Sequence, residues 1–191
     1  MAHTILRTRK TPEDLSKSLL GAKGVSCDAT RYGKLADRAS GEGAFEVKVG
    51  ASVVQVGLLV HNQQPWLCGS PDGLFATGEG TVLLEIKCPH SIKDSAVIDS
   101  TAEVTFVKYL VYEEGRLCLR RTHKYYTQVQ VLMYCTSAFN LGECFFFVYT
   151  SVDSVIGAVE RDNIFLETAI RRLEGSFFSH YLPAIVKEYS S

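Results

Sequence analysis

An α/β fold is predicted by three observations. Residues 122–139 and 162–188 repeat apolar side chains at helical spacing. Valine-rich or aromatic runs at 47–60, 82–88 and 144–150 suit strands. The chain has 191 residues, 46% of them hydrophobic, enough for a sizeable core in one domain or one domain plus a short extension.

Residues 1–10 are expected to form a flexible N-terminal extension. A helix then begins. Thr11 can cap it, Pro12 suits its first position, and Glu13 and Asp14 complement the helix dipole. Leu15, Leu19 and Leu20 give its apolar face, and Gly21 or Gly24 ends it. A second helix is expected over 28–40, closed by Gly41 and Gly43. Residues 47–60 suggest one bent strand or two short ones, interrupted at Gly50 and Gly57. Residues 66–88 suggest two strands joined at Gly78-Glu79-Gly80, the second stopped by Pro89. Residues 104–111 fit helix or strand, followed by a turn at Glu113-Glu114-Gly115-Arg116. After the 122–139 helix, 144–150 suits a buried strand, with 155–160 as its partner. A C-terminal helix over 162–188 turns Ile164, Phe165, Ala169, Ile170 and Leu173 inward. The sequence carries no internal repeat and no low-complexity segment.

Composition excludes several classes. No apolar run reaches the roughly 18 residues of a membrane span. The opening MAHTILRTRK lacks the apolar centre of a signal peptide. The expected compartment is therefore the cytosol or nucleus, with no secretion and no membrane partner. Six cysteines without a C-x-x-C pair point to reduced, mostly buried small side chains rather than a zinc site or a disulfide framework. A net charge of −1 does not suit a general DNA-coating protein. Two basic clusters stand out locally: Arg7, Arg9 and Lys10, and Arg116, Arg120, Arg121, His123 and Lys124 before Tyr125 and Tyr126. Either can be an ordinary solvated face.

The chemistry concentrates in two short segments. Strand side chains alternate between faces. In Leu84-Glu85-Ile86-Lys87, the acid and the base therefore share one face, and Leu84 and Ile86 take the other. Charge on a central strand needs a partner or a use. Ser70-Pro71-Asp72-Gly73 alone is ordinary turn chemistry. A hairpin from it into 82–88 can return Glu85 beside Asp72. Two carboxylates suit Mg²⁺ or Mn²⁺, which prefer oxygen ligands. Lys87 would position the attacking water or offset charge on a phosphate. The bland alternative is a plain Glu85–Lys87 strand ion pair.

Here a resemblance becomes specific. G-S-P-D-G-L, then L-L-E-I-K-C-P-H, then Y-Y-T-Q-V-Q-V-L-M-Y resembles the phage lambda exonuclease family, most of all its YqaJ-like viral recombinase branch. The three motifs occur in order, and the likeness extends from about residue 11 onward. It implies a single nuclease domain over 11–191 in the PD-(D/E)XK superfamily. The implied fold is a restriction-endonuclease-like core, a central mixed β-sheet flanked by α-helices. It implies a metal-dependent DNA nuclease, a 5′-to-3′ exonuclease on duplex ends, serving recombination or a viral or mobile element. It also implies Mg²⁺ or Mn²⁺ as cofactor, double-stranded DNA as substrate, a ring-shaped homotrimer and a single-strand annealing protein as partner.

By the same resemblance Asp72, Glu85 and the Ile86 main-chain carbonyl hold the metal, and Lys87 is the catalytic lysine. Gln128 helps hold the site together, with a surface amide as the bland reading. Tyr125 lies one helical turn before it, on the same face, and serves DNA contact or core packing. Gln130 lies on a different face and is not expected to contribute. Ser70 contacts a DNA phosphate, and Arg120, Arg121 and Lys124 join the DNA-binding set. Trp66 is expected in the core or a lid, and His90 just after the catalytic strand.

Two departures qualify the match. The family's upstream helix usually carries a glutamate four residues after a glycine. Arg31-Tyr32-Gly33 opens that pattern, but Asp37 stands at the fourth position. Aspartate, shorter by one methylene, would reach a metal through water. Glu42 is a weaker substitute, expected near the helix end. The family's first helix, with an arginine and a serine for the DNA end, is expected to be lacking. Either the chain is a fragment or that pocket is missing. Two other readings stay open: an endonuclease on the same fold, and a catalytically decayed DNA-binding or assembly module.

Overall fold

The computed structural model describes residues 1–21, 40–136 and 141–190. The chain divides into two compact units, Met1–Val25 with Asp162–Ser191, and Ser26–Arg161.

The first unit opens with helices α1 (Ala2–Arg7) and α2 (Pro12–Leu20). Most of the expected N-terminal extension, residues 1–10, is therefore helical. The Thr11 side chain accepts from the Asp14 N–H, as its capping position requires, and Gly21 closes α2.

The second unit begins, among its described elements, with α3 (Glu42–Val49). The expected 28–40 helix and Cys27 lie essentially outside the described residues. Gly41 and Gly43 do not end a helix there: Gly41 precedes α3 and Gly43 sits inside it. The valine-rich stretch also starts in a helix, not a strand. Phe45 is fully buried, Ala44 and Val49 pack beside it, and Val47 is 87% exposed, so burial here follows helical spacing.

Short strands β1 (Val53–Val54), β2 (Leu59–Val60) and β3 (Cys68–Gly69) follow. β4 (Gly73–Thr77) and β5 (Gly80–Lys87) form the central hairpin, which starts at Gly73 rather than Trp66. β6 (Ile98–Asp99) pairs with β7 (Val104–Thr105). β8 (Leu110–Glu113) and β9 (Arg116–Leu119) make a hairpin through Glu114 and Gly115. Both turn residues have positive φ, 51° and 74°, the conformation that fits the strand twist. α4 (Lys124–Cys135) starts two residues later than expected, where the His123 side chain caps it by accepting from the Tyr125 N–H. Residues 137–140 of the expected helix lie outside the described residues. β10 (Glu143–Tyr149) and β11 (Ser154–Glu160) complete the unit.

The chain then returns to the first unit with α5 (Asn163–Ser176), a π-turn at Phe177–Tyr181, and α6 (Leu182–Tyr189). Leu166, Ala169, Ile170 and Leu173 face inward. Ile164 is 84% exposed and Phe165 half-buried, because the Asp162 cap sets the helical phase so that Leu166 takes the inner position.

The main sheet has the order β1-β4-β5-β10-β11. All its pairings are antiparallel except β5 with β10, so the sheet is mixed. On one face Phe75, Val82, Leu84, Ile86 and Phe147 pack against Phe45 of α3. Each such buried side chain contributes about 1.5–3 kcal/mol. On the other face Phe146 lies opposite Glu85 in register and meets Tyr125 of α4, ring centres 5.7 Å apart. The middle strand is thus covered on both sides, and Val82 to Ile86 is buried without a break.

Candidate functional site

The site lies where β4 begins and β5 ends. The last ladder pair there is Gly73 with Leu84. Just beyond it, Asp72 Oδ2 accepts from the Ile86 N–H at 2.7 Å. A side chain thus takes over an acceptor role from the backbone ladder and fixes the carboxylate against β5. Gly73 permits the close approach of β1: a Cβ there would sit 2.3 Å from Val53 Cγ1.

Glu85 is 2% exposed, on the covered face of the strand. Its Oε1 accepts from the Lys87 ammonium and from Gln128 Nε2, the latter at 2.6 Å. Lys87 also donates to the Ile86 carbonyl at 2.8 Å and lies 4.0 Å from Asp72 Oδ2. Its Nζ is 5.2 Å from the centre of the Tyr125 ring, on the same helix face as Gln128. Asp72, Glu85 and the Ile86 carbonyl therefore converge on one cation.

Beneath this cluster, Cys144 is fully buried on β10. Burial foremost, and then the nearby Glu85 charge, pushes its thiol well above the usual cysteine range. Buried Cys135 is pushed up to about 12, and Cys88 is buried too. Cys68 is exposed and Cys118 half-buried, so the described cysteines are mostly, not all, buried.

Asp72 opens onto a cleft of about 90 Å³ shared with Glu42, Gln55, Ser70 and Ile86. Glu42 is the first residue of α3, and Gln55 Nε2 donates to its Oε2 at 2.7 Å. Sequence reasoning placed Glu42 at the end of a helix rather than at the start of one. The signal that could have found it is Phe45, three residues on, whose burial orients the first turn of α3.

A family model, the YqaJ-like viral recombinase domain, matches residues 28–138, more than half of the chain. The chain belongs to this family. The matched span contains α3, the β4–β5 hairpin and α4. Comparison with curated protein sequences gives no match. Among solved structures, the chain is similar to the alkaline exonuclease LHK-Exo from Laribacter hongkongensis. The TM-score is 0.66 at 19% identity, over 99% of this chain and 91% of that one. LHK-Exo in complex with dAMP gives a TM-score of 0.67 at the same identity and coverage. Identity this low speaks for the fold.

The other expected residues divide clearly in this YqaJ-like domain. Ser70 is exposed and lines the cleft. Asp37, with Arg31, Tyr32 and Gly33, lies outside the described residues. Arg120 does not point to a shared basic patch: its Nε donates to the Lys108 carbonyl at 3.1 Å. The Arg121 guanidinium lies over the Tyr126 ring at 5.4 Å, and Lys124 Nζ over Tyr125 at 5.2 Å. Gln130 is fully buried and donates to the Glu160 carbonyl, a packing role. Trp66 is half-buried and His90 is exposed, in a 3-10 turn. His61 is buried, stacked on Tyr134 with ring centres 4.8 Å apart, and its Nδ1 accepts from the Gln63 and Gln64 N–H groups. Burial, and then the Arg161 charge, lowers its pKa. No described helix is long and apolar enough to cross a membrane.

Proposed function

We propose that this domain is a divalent-metal-dependent deoxyribonuclease that removes nucleotides from duplex ends in the 5′-to-3′ direction. One observation carries the reading: Asp72 Oδ2, Glu85 Oε1 and the Ile86 carbonyl gather around a single positive group at the rim of an oxygen-lined cleft. Two carboxylates against one ammonium leave negative charge in excess. Hard oxygen donors on rigid backbone fit Mg²⁺ or Mn²⁺. Among the described residues no group of three or more His, Cys, Asp and Glu is close enough to cage a metal. That suits Mg²⁺, which takes one or two carboxylates and keeps several waters. The cleft has room for them.

Asp72, Glu85 and the Ile86 carbonyl would hold the cation, with Asp37 as a further carboxylate through water. Bound there, the metal would supply Lewis-acid stabilisation of the scissile phosphate and its leaving oxygen. Gln128 holds Glu85 in place through its amide. Lys87 offsets charge that builds on the phosphate and donates hydrogen bonds to the attacking water. Tyr125 confines the lysine by a cation–π contact. The name of the similar LHK-Exo, an alkaline exonuclease, and its complex with dAMP support an exonuclease with mononucleotide products.

The test is digestion of end-labelled linear and closed circular DNA with Mg²⁺, comparing wild type with Glu85→Ala. Linear DNA is expected to shorten from its 5′ ends and circular DNA to survive. Cutting of circles would replace the exonuclease by an endonuclease. Equal activity of both proteins, or none with Mg²⁺ or Mn²⁺, would overturn the nuclease reading.

A further inference from the structure

The first unit contains a second chemically distinctive place, built from parts distant in sequence. The segment between α1 and α2 supplies Thr8 and Lys10. α5 supplies Arg172 and Ser176, and the π-turn supplies His180. Together they line a cleft of about 270 Å³ whose apolar floor includes Leu15. No carboxylate lines it. Among the described residues, neither the Arg172 nor the His180 side chain takes part in a hydrogen bond or ion pair. The neighbouring Arg171 differs: it pairs with Glu167 at 3.0 Å, one helical turn away. Lys10 Nζ touches only a hydroxyl, Ser18 Oγ, at 3.2 Å.

In a chain of net charge −1, three basic side chains facing one cleft without a counter-charge do not follow from composition. Guanidinium, ammonium and hydroxyl donors are the groups that bind phosphate oxygens. We infer that this cleft binds a phosphodiester of the DNA backbone. The inference takes its ligand from the DNA reading above but does not depend on the Asp72–Glu85 chemistry.

The test measures binding, not cleavage: fluorescence anisotropy of a labelled duplex in EDTA, across a salt series. Arg172→Glu and Lys10→Glu are each expected to weaken binding about tenfold, for any sequence, and to lower the salt slope by about one. Arg171→Glu, one position away but outside the cleft, is expected to change affinity by less than about twofold. Arg172→Gln keeps helix propensity and guards against unfolding, as do thermal midpoints for every variant. The inference is overturned if Arg171→Glu weakens binding as much as Arg172→Glu, or if neither cleft variant moves the salt slope. It is also overturned if inorganic phosphate binds in an Arg172-dependent way while duplex binding is indifferent to Arg172. Loss of cleavage in Glu85→Ala leaves this result untouched, so the two readings fail separately.

Discussion

The end of β5 and the run from Arg116 to Lys124 both carry conspicuous charge in the sequence, yet the fold treats them differently. In β5, Glu85 and Lys87 are drawn with Asp72 and Gln128 into one cluster, with Glu85 almost wholly buried. In the basic run, Arg120 and Arg121 take local contacts away from that cluster, while Lys124 shares the Tyr125 ring with Lys87. Arg120 holds a carbonyl, while Arg121 and Lys124 lie over different rings. Burying a charge costs several kcal/mol unless it is matched, so a charge inside a covered strand forces its neighbours to converge. A cation on a hairpin or helix start faces water, costs nothing to leave alone, and settles on whatever is nearest. Density of charge in the sequence is therefore a weaker guide to a site than the cost of placing that charge.

That contrast can be broken or sharpened by mutation, starting with the strand. Glu85→Ala is expected to lower DNA cleavage by about 10³-fold or more, since electrostatic and metal effects of this kind are worth several kcal/mol. Initial rates on labelled duplex would check it, and a drop of less than tenfold would remove β5 from the chemistry. Gln128→Ala should follow, with about 10–100-fold weaker metal binding or activity, because it orients a ligand without being one. Mn²⁺ binding followed by electron paramagnetic resonance would report the affinity directly. Glu42→Gln is expected to weaken Mn²⁺ binding by less than about tenfold, acting across the cleft from Asp72. An effect as large as that of Glu85→Ala would instead make it a direct ligand. At the small end, Arg120→Ala and Arg121→Ala should each change cleavage by no more than about threefold at moderate salt. If either matched Gln128→Ala, the basic run would be part of the site and the contrast would disappear.

Much of this was legible in the sequence where a local rule was strong. Thr11-Pro12 gave the start of α2, Gly78-Glu79-Gly80 the turn between the central strands, and the alternation in Leu84–Lys87 the shared face of acid and base. The 47–60 region misled because Val47 and Val49 favour strands by type, while Phe45 needed a helix to reach the core. Ile164 misled for a related reason: the Asp162 cap set the phase of α5 and turned that isoleucine to solvent. Glu42 reads as only a weaker substitute because the glycines at 41 and 43 suggest a helix end, whereas it opens α3.

By itself the sequence determined that Asp72 and Glu85 would return to one end of a hairpin with Lys87 beside them, since pleat and turn are short-range constraints. Tertiary structure alone decided that Gln128, 43 residues away, would hold Glu85, that Tyr125 would face Lys87, and that Lys10, Arg172 and His180 would share a cleft. Such meetings depend on how helices seat on their neighbours. The residues that seat them, such as Phe45, Phe146 and Leu15, carry no chemistry of their own to announce the outcome.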